Sequence, residues 1–300
     1  MTVDASIFRG LSAFSLTPAD ADGVVDTDAF AVMIDRLVAA GVDSIAVLGS
    51  TGTYAYLDRS ERSRALACAV ETVAGRVPLI AGIGAMRTSW VKELARDAER
   101  AGANGLLLAP VSYAPLTQDE VFAHFQATAA ATGLPICIYN NPSTTHFSFS
   151  PDLVSRLSRV DNIAAIKMPL PADGDLTGEI EGLRSSCRAG LIVGYSGDWG
   201  AAPALLAGAD AWYSVIAGLL PVSALRLTRA ALSGDREATT AADADFGLLW
   251  ELFRTHGSLR VMYLVAEQLG LGSGQPPLPI QPLDRSVGVA VAEAMEALAI

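Results

Sequence analysis

Eight short apolar runs punctuate the first part of this 300-residue chain, each followed by small or polar residues and then by a stretch with helical spacing. They are LSAFSL near residue 14, SIAVLG near 46, VPLIAGIG near 80, GLLLAP near 107, LPICIYN near 137, NIAAIKM near 165, LIVGYSG near 193 and AWYSV near 213. None alternates apolar with polar side chains, so each predicted strand is buried on both faces, as in a parallel sheet covered by helices. Three runs share a preface: Ala40-Gly41-Val42-Asp43, Ala101-Gly102-Ala103-Asn104 and Ala207-Gly208-Ala209-Asp210. A glycine just past a helix supplies the left-handed residue that closes it. Strands alternating with helices imply parallel β-α units. Eight such units predict an α/β fold of the closed (β/α)8 TIM-barrel type rather than an open doubly wound sheet. From about residue 225 the pattern is helical, through EATTAADADFGLLWELFRTHG, SLRVMYLVAEQLG and DRSVGVAVAEAMEALA. The Pro-rich QPPLPIQP is a connector too short to split domains. The expected organisation is a barrel over 1–224, with 225–300 forming the last barrel helix and a C-terminal helical extension of the same structural domain.

Composition narrows the function. The hydrophobic fraction of 51% is ample for a large core. A net charge of −11, a pI of about 4.7 and the lack of any Lys/Arg cluster argue against nucleic acid and an anionic membrane surface as partners. An anionic small molecule is still admissible, because backbone N–H groups and hydroxyls can bind it. Cys68, Cys137 and Cys187 are odd in number and form no CxxC pair, and Cys68 in a helical pattern and Cys137 in an apolar run read as packed thiols in a reducing compartment. The start MTVDASIFRG has neither the basic nor the apolar region of a secretory signal, and no run of 18 apolar residues occurs. A soluble, cytoplasmic protein is expected. His124, His146 and His256 show no metal-ligand spacing, so no metal is expected, and His124 on the fourth helix reads as structural. Gly82-Ile83-Gly84 lacks the third glycine of a dinucleotide turn.

Nineteen of the 21 basic residues are arginine; the two lysines are Lys92 and Lys167. Lys92 lies in the charged helical stretch VKELARDAERAG, where a solvated lysine is ordinary. Lys167 ends the apolar run IAAIK. Desolvation penalises an ammonium, and a neutral amine is a nucleophile toward carbonyls, so a buried lysine here suits Schiff-base chemistry. The other reading is a strand-end lysine reaching water along its own stem.

Barrel chemistry gathers at the C-terminal strand ends. Strand two ends in Gly49-Ser50-Thr51-Gly52-Thr53, a turn that can offer N–H groups and hydroxyls to a carboxylate. Strand five ends in Tyr139-Asn140-Asn141-Pro142, and a tyrosine there can relay a proton. Strand six ends at Lys167, strand seven at Ser196-Gly197-Asp198 and strand eight at Tyr213-Ser214-Val215, while Tyr113 lies in the loop after strand four.

GSTGT, IYNNPSTTH, AAIKMP and GYSGD, in this order and spacing along nearly the whole chain, resemble the dihydrodipicolinate synthase / N-acetylneuraminate lyase family. The resemblance implies a Schiff-base lyase, aldolase or dehydratase, acting on pyruvate or another 2-keto acid, without metal or external cofactor. It implies Lys167 as the Schiff-base former and Tyr139 as the proton shuttle. Ser50 and Thr51 would hold the keto acid's carboxylate, with Thr51 also bridging to Tyr139. Tyr113 would complete a hydroxyl relay across a subunit contact in a homotetramer built as a dimer of dimers. The backbone of Tyr213 would line the pocket beside the lysine, with Gly194 also at the substrate. Thr144 stands where true dihydrodipicolinate synthases carry the arginine that binds the carboxylate of aspartate semialdehyde. Thr53 and Met168 replace glutamates common in the family, and Ser50-Thr51 is similar to the sialic-acid lyase form of the turn. The expected substrate is therefore of a sugar-acid or other non-lysine-pathway type. Two alternatives stand beside it: a dihydrodipicolinate synthase that tolerates Thr144, and a barrel that binds a keto acid without catalysis.

Overall fold

The computed structural model describes residues 4–272 and 275–298. Eight parallel strands close into a barrel in sequence order: β1 Gly10–Phe14, β2 Ser44–Val47, β3 Leu79–Gly82, β4 Gly105–Leu108, β5 Ile136–Tyr139, β6 Ile163–Met168, β7 Ile192–Tyr195 and β8 Ala211–Ser214. The ring closes where Ser12 of β1 pairs with Tyr213 of β8. Every strand residue is buried, as unbroken apolar runs require in a sheet covered on both sides. The outer helices are α1 Thr27–Ala40, α2 Arg59–Val73, α3 Thr88–Ala101, α4 Gln118–Ala129, the short α5 Pro142–Thr145, α6 Pro151–Leu157, α7 Leu176–Ser186, α8 Ala201–Leu206 and α9 Pro221–Leu232. The extension comprises α10 Arg236–Asp245, α11 Gly247–His256, α12 Ser258–Gln268 and α13 Arg285–Ala297. The last barrel helix thus begins at Pro221, earlier than the expected 225; proline is preorganised for the first helical position. No helix of the described residues is long and apolar enough to cross a membrane.

The repeated preface has a mechanical meaning. Gly41, Gly102 and Gly208 take positive φ values of 76°, 100° and 101°, which end the helices before them. The polar residue two places further on then ties down the start of the preceding strand. Asp43 accepts the amide of Leu11 at 2.7 Å, Asn104 that of Leu79 at 2.8 Å and Asp210 that of Val193 at 2.9 Å. A single four-residue pattern therefore stops a helix and aligns two neighbouring strands.

Barrel orientation is fixed by what fills each end. At the N-terminal end a 3-10 turn, Ala5–Phe8, inserts Phe8, which is fully buried. Gly105 has no side chain because one would fall 2.6 Å from Ile7 and 3.0 Å from Phe8. Burying a phenylalanine contributes about 1.5–3 kcal/mol, so this plug is a firm floor. The pairing of β5 with β6 shifts register at the start of β5, between Ile136 and Cys137, and at the other end of the strand Tyr139 stands directly opposite Lys167. Such a shift re-aims side chains near sites.

Candidate active site at the C-terminal strand ends

Lys167 is 2 % exposed, so the reading in which it reaches water along its stem does not hold. Its Nζ lies 3.8 Å from the centre of the Phe14 ring, 4.8 Å from that of Tyr139 and 6.0 Å from that of Tyr213. Burial pushes its pKa below the ordinary lysine value; Tyr139, Asp198 and Cys137 pull the other way. Lys92, on α3, is half-buried.

Above the amine is a cavity of about 420 Å³, shared by Lys167, Tyr139, Ser50, Thr51 and Thr144. The turn after β2 forms one wall. Leu48 and Thr53, neither of them glycine, adopt left-handed φ values of 56° and 50° and bend the chain over the barrel mouth. Such residues cost of order 1–3 kcal/mol each and persist where their surroundings demand them. Gly82 makes room: a Cβ there would sit 1.8 Å from the Leu48 carbonyl oxygen. The bend sets Thr51, 6 % exposed, and the half-buried Ser50 against the cavity.

Tyr139 is 5 % exposed. Its hydroxyl accepts a hydrogen bond from Asn141 Nδ2 at 2.9 Å, so Asn141 takes the bridging place expected of Thr51. The proximity of Asn141, two residues along the chain, makes this contact local. Ser143 Oγ in turn donates to Asn141 Oδ1 at 2.7 Å, and Thr144 lies beside it on the cavity wall.

Two expected site residues, Tyr213 and Gly194, are not among the cavity's lining, and Tyr113, expected at a subunit contact, stands apart from it. Tyr213 points down the barrel, its hydroxyl donating to the Phe8 carbonyl at 3.3 Å, and Val215 lines the cavity in its stead. The alternation of a strand explains this, since an inward side chain at the floor leaves a later residue to face the mouth. Gly194 is opposite Lys167 in the β6–β7 register but beneath the cavity; a Cβ there would meet the Tyr213 ring at 2.4 Å. Its missing side chain makes room for the Tyr213 ring and for Ala211. Tyr113 is 98 % exposed and outside the cavity lining of the single chain. Among the described residues no group of three His, Cys, Asp or Glu side chains could hold a metal ion.

Residues 7–298 match the dihydrodipicolinate synthetase family. The chain belongs to this family. It is 35% identical over 298 residues to the 4-hydroxy-tetrahydrodipicolinate synthase of Thioalkalivibrio sulfidiphilus, covering 98% of this chain and 99% of that one. It is 32% identical to the enzyme of the same name from Saccharophagus degradans, covering 97% and 99%. Among solved structures, dihydrodipicolinate synthase from Agrobacterium tumefaciens superposes with a TM-score of 0.97 at 55% identity, covering 98% and 99%. The chain is a lyase of the dihydrodipicolinate synthetase family, whose enzymes use a covalent Schiff base between lysine and pyruvate and no external cofactor.

Within this family frame, the structure adds wall residues that the strand-end motifs do not mark. Leu170 and Trp199 close one side, and Ser258 and Leu259 reach in from the start of α12. The last two belong to the C-terminal extension, so no strand-end rule could find them. Asp198 was visible in the SGD motif, but nothing in the sequence distinguishes a surface aspartate from one 1 % exposed.

Proposed function

We propose that this protein is a lysine Schiff-base lyase acting on pyruvate or another 2-keto acid. The observation that carries the reading is Lys167: a buried amine, lowered in pKa by desolvation, at the base of a cavity large enough for a keto acid and a second carbonyl compound. Lys167 Nζ attacks the ketone carbon C2. The carbinolamine loses water, after taking up one proton, and leaves an iminium. That electron sink lets C3 lose a proton or an aldehyde, giving an enamine whose C3 attacks, or has just released, the partner carbonyl. Tyr139 is placed to carry protons to and from the carbinolamine, with Asn141 fixing its hydroxyl. Ser50 and Thr51 hold the keto acid's carboxylate. The fully exposed Tyr113 supports a homotetramer in which it reaches a neighbouring subunit, since a large exposed aromatic is better buried at a contact.

Two partner carbonyls have support. The names of the relatives favour 4-hydroxy-tetrahydrodipicolinate synthesis, with aspartate semialdehyde as acceptor. The cavity wall favours an acceptor without a second carboxylate: Lys167 is the one cationic side chain among its lining residues, and Thr144 is neutral.

The test is reduction with borohydride in the presence of pyruvate, read by intact and peptide mass. One reduced pyruvyl group on the Lys167 peptide and none on Lys92 is expected; a label on Lys92, or no label, overturns the mechanism. Turnover with pyruvate and aspartate semialdehyde, run beside a panel of hydroxylated aldehydes, separates the two acceptors. A keto acid that binds without labelling or turnover would instead support the non-catalytic barrel.

A further inference from the structure

The helix α2 carries a buried cation that no carboxylate answers. Arg62 is 7 % exposed and lies near the N-terminus of the helix, where the macrodipole disfavours positive charge. Its neighbours Arg59 and Arg64 pair with Glu93, Asp97 and Glu61, but Arg62 forms no ion pair among the described residues. Burial pulls its pKa down to about 10, so it stays charged near neutrality. A buried charge of this kind is costly, and its contacts show what offsets the cost.

The guanidinium holds the back of the turn that follows β2. Its Nη2 donates to the Gly82 carbonyl at 2.9 Å and its Nη1 to the Gly84 carbonyl at 3.0 Å, at and just beyond the C-terminal end of β3. Its Cζ stands 5.1 Å from the centre of the Tyr54 ring. Gly82 and Tyr54 each brace one end of the bend. The Leu48 carbonyl is pressed against the bare Cα of Gly82. Tyr54 follows Thr53; its amide reaches the Gly49 carbonyl at 3.5 Å, and the Thr53 amide donates to the Ser50 carbonyl at 3.1 Å. Leu48 and Thr53 are the two left-handed residues between which Ser50 and Thr51 are held.

We propose that Arg62 is a positioning residue that braces the turn 49–53 from behind, so that Ser50 and Thr51 meet the keto acid's carboxylate in a preformed geometry. The proposal rests on the reading of that turn as the carboxylate site. Residues in the left-handed region relax unless their surroundings over-determine them. Arg62 supplies that constraint at both ends of the bend at once. Its planar fork reaches two carbonyls while its face covers a ring, which the point charge of a lysine ammonium cannot do. A relaxed turn would still admit a small ketone to Lys167, but its hydroxyls and amides would no longer converge on a carboxylate.

The test compares Arg62→Lys and Arg62→Met with the parent by cyanoborohydride trapping, read by intact mass. Two ketones are used: pyruvate, and hydroxyacetone, which is similar in size and has no carboxylate. The concentration for half-maximal trapping and the rate at saturation are measured separately. In both variants the half-maximal pyruvate concentration is expected to rise about tenfold, as for the loss of one hydrogen bond to a charged group. The hydroxyacetone value and the saturated rate should change by less than about twofold, because only binding of the carboxylate is touched. Arg62→Lys keeps the charge and loses the fork, so pyruvate binding at the parent's level in that variant overturns the brace. An equal loss for both ketones, or a lower Tm with unchanged pyruvate binding, gives Arg62 a general structural role and also overturns it. Should both variants fail to fold, Gly84→Ala decides: its Cβ would stand 2.8 Å from the Tyr54 hydroxyl and displace the ring with Arg62 intact. A rise confined to pyruvate supports the brace, and no change refutes it. A parent that takes no label counts against the Schiff-base reading; one that labels but holds hydroxyacetone as well as pyruvate overturns the carboxylate turn, and the brace with it.

Discussion

Replacing Lys167 by methionine should destroy activity and stabilise the protein. Methionine matches the lysine stem in length and lacks branches, so it leaves no large void. The parent amine lies 2 % exposed against the rings of Phe14 and Tyr139. A polar group buried without adequate compensation costs about 1–3 kcal/mol by protein measurements. The thioether would add favourable sulfur–aromatic contact of about 0.3–1.5 kcal/mol. A gain of roughly 1–3 kcal/mol in unfolding free energy is therefore expected, or a few degrees in Tm at a fixed protein concentration. The gain should depend on pH. Burial lowers the pKa of Lys167 in the folded protein, so the unfolded chain binds more protons at pH values between the folded and unfolded pKa. The parent therefore becomes more stable as pH rises through that window, up to about 10.4. The advantage of Lys167→Met is largest on the acid side of the folded-state pKa and shrinks toward about pH 10. Denaturant unfolding of both proteins from neutral pH upward, with turnover and pyruvate trapping measured on the same samples, makes the comparison. A variant less stable than the parent, or one whose advantage is flat with pH, would show that the lysine is not the desolvated amine described above. Residual turnover close to the parent's would remove it from the chemistry.

Tyr139→Phe should slow turnover by about two to four orders of magnitude, the usual worth of positioned acid–base catalysis, while keto-acid binding weakens much less. Turnover within a few-fold of the parent would assign the relay to another group. Sedimentation at micromolar concentration should give a tetramer, and Tyr113→Ala should weaken assembly and turnover together; a fully active monomer contradicts this. Thr144→Arg should lower the KM for aspartate semialdehyde by about tenfold or more, as expected from about 1.5–3 kcal/mol for a charge-assisted pair, and leave neutral aldehydes unchanged. A parent enzyme that already saturates at low semialdehyde concentration, with no gain in the variant, would show that another cation serves this role.

The eight strands were legible because each is an uninterrupted apolar run, and the closing helices because a glycine and a polar residue follow them at fixed offsets. Asp43, Asn104 and Asp210 show why that pattern is reliable: two places past the glycine that ends each helix, they accept the amide at the start of the preceding strand. Lys167 was legible for the converse reason, a charge placed where the pattern demands none. What escaped were properties of three-dimensional convergence. Whether Tyr213 faces the mouth or the floor depends on barrel tilt and on Phe8 arriving from the N-terminus. Ser258 and Leu259 reach the cavity from a helix whose sequence speaks only of amphipathic packing. The partner of the Tyr139 hydroxyl was misplaced because Thr51 and Asn141 are both plausible donors in sequence, and only the turn geometry chooses Asn141.

The floor formed by Phe8 and Ile7 bears on the order of events in catalysis. With the N-terminal end of the barrel plugged, traffic to Lys167 passes through the mouth where Thr144, Trp199 and Leu259 stand. The keto acid must take the inner berth before its partner takes the outer one, and it can leave only after the outer berth is clear. An acceptor that arrives first obstructs the passage without reacting. Initial-rate kinetics should therefore show obligatory order, with the acceptor at high concentration acting as an inhibitor that more keto acid displaces.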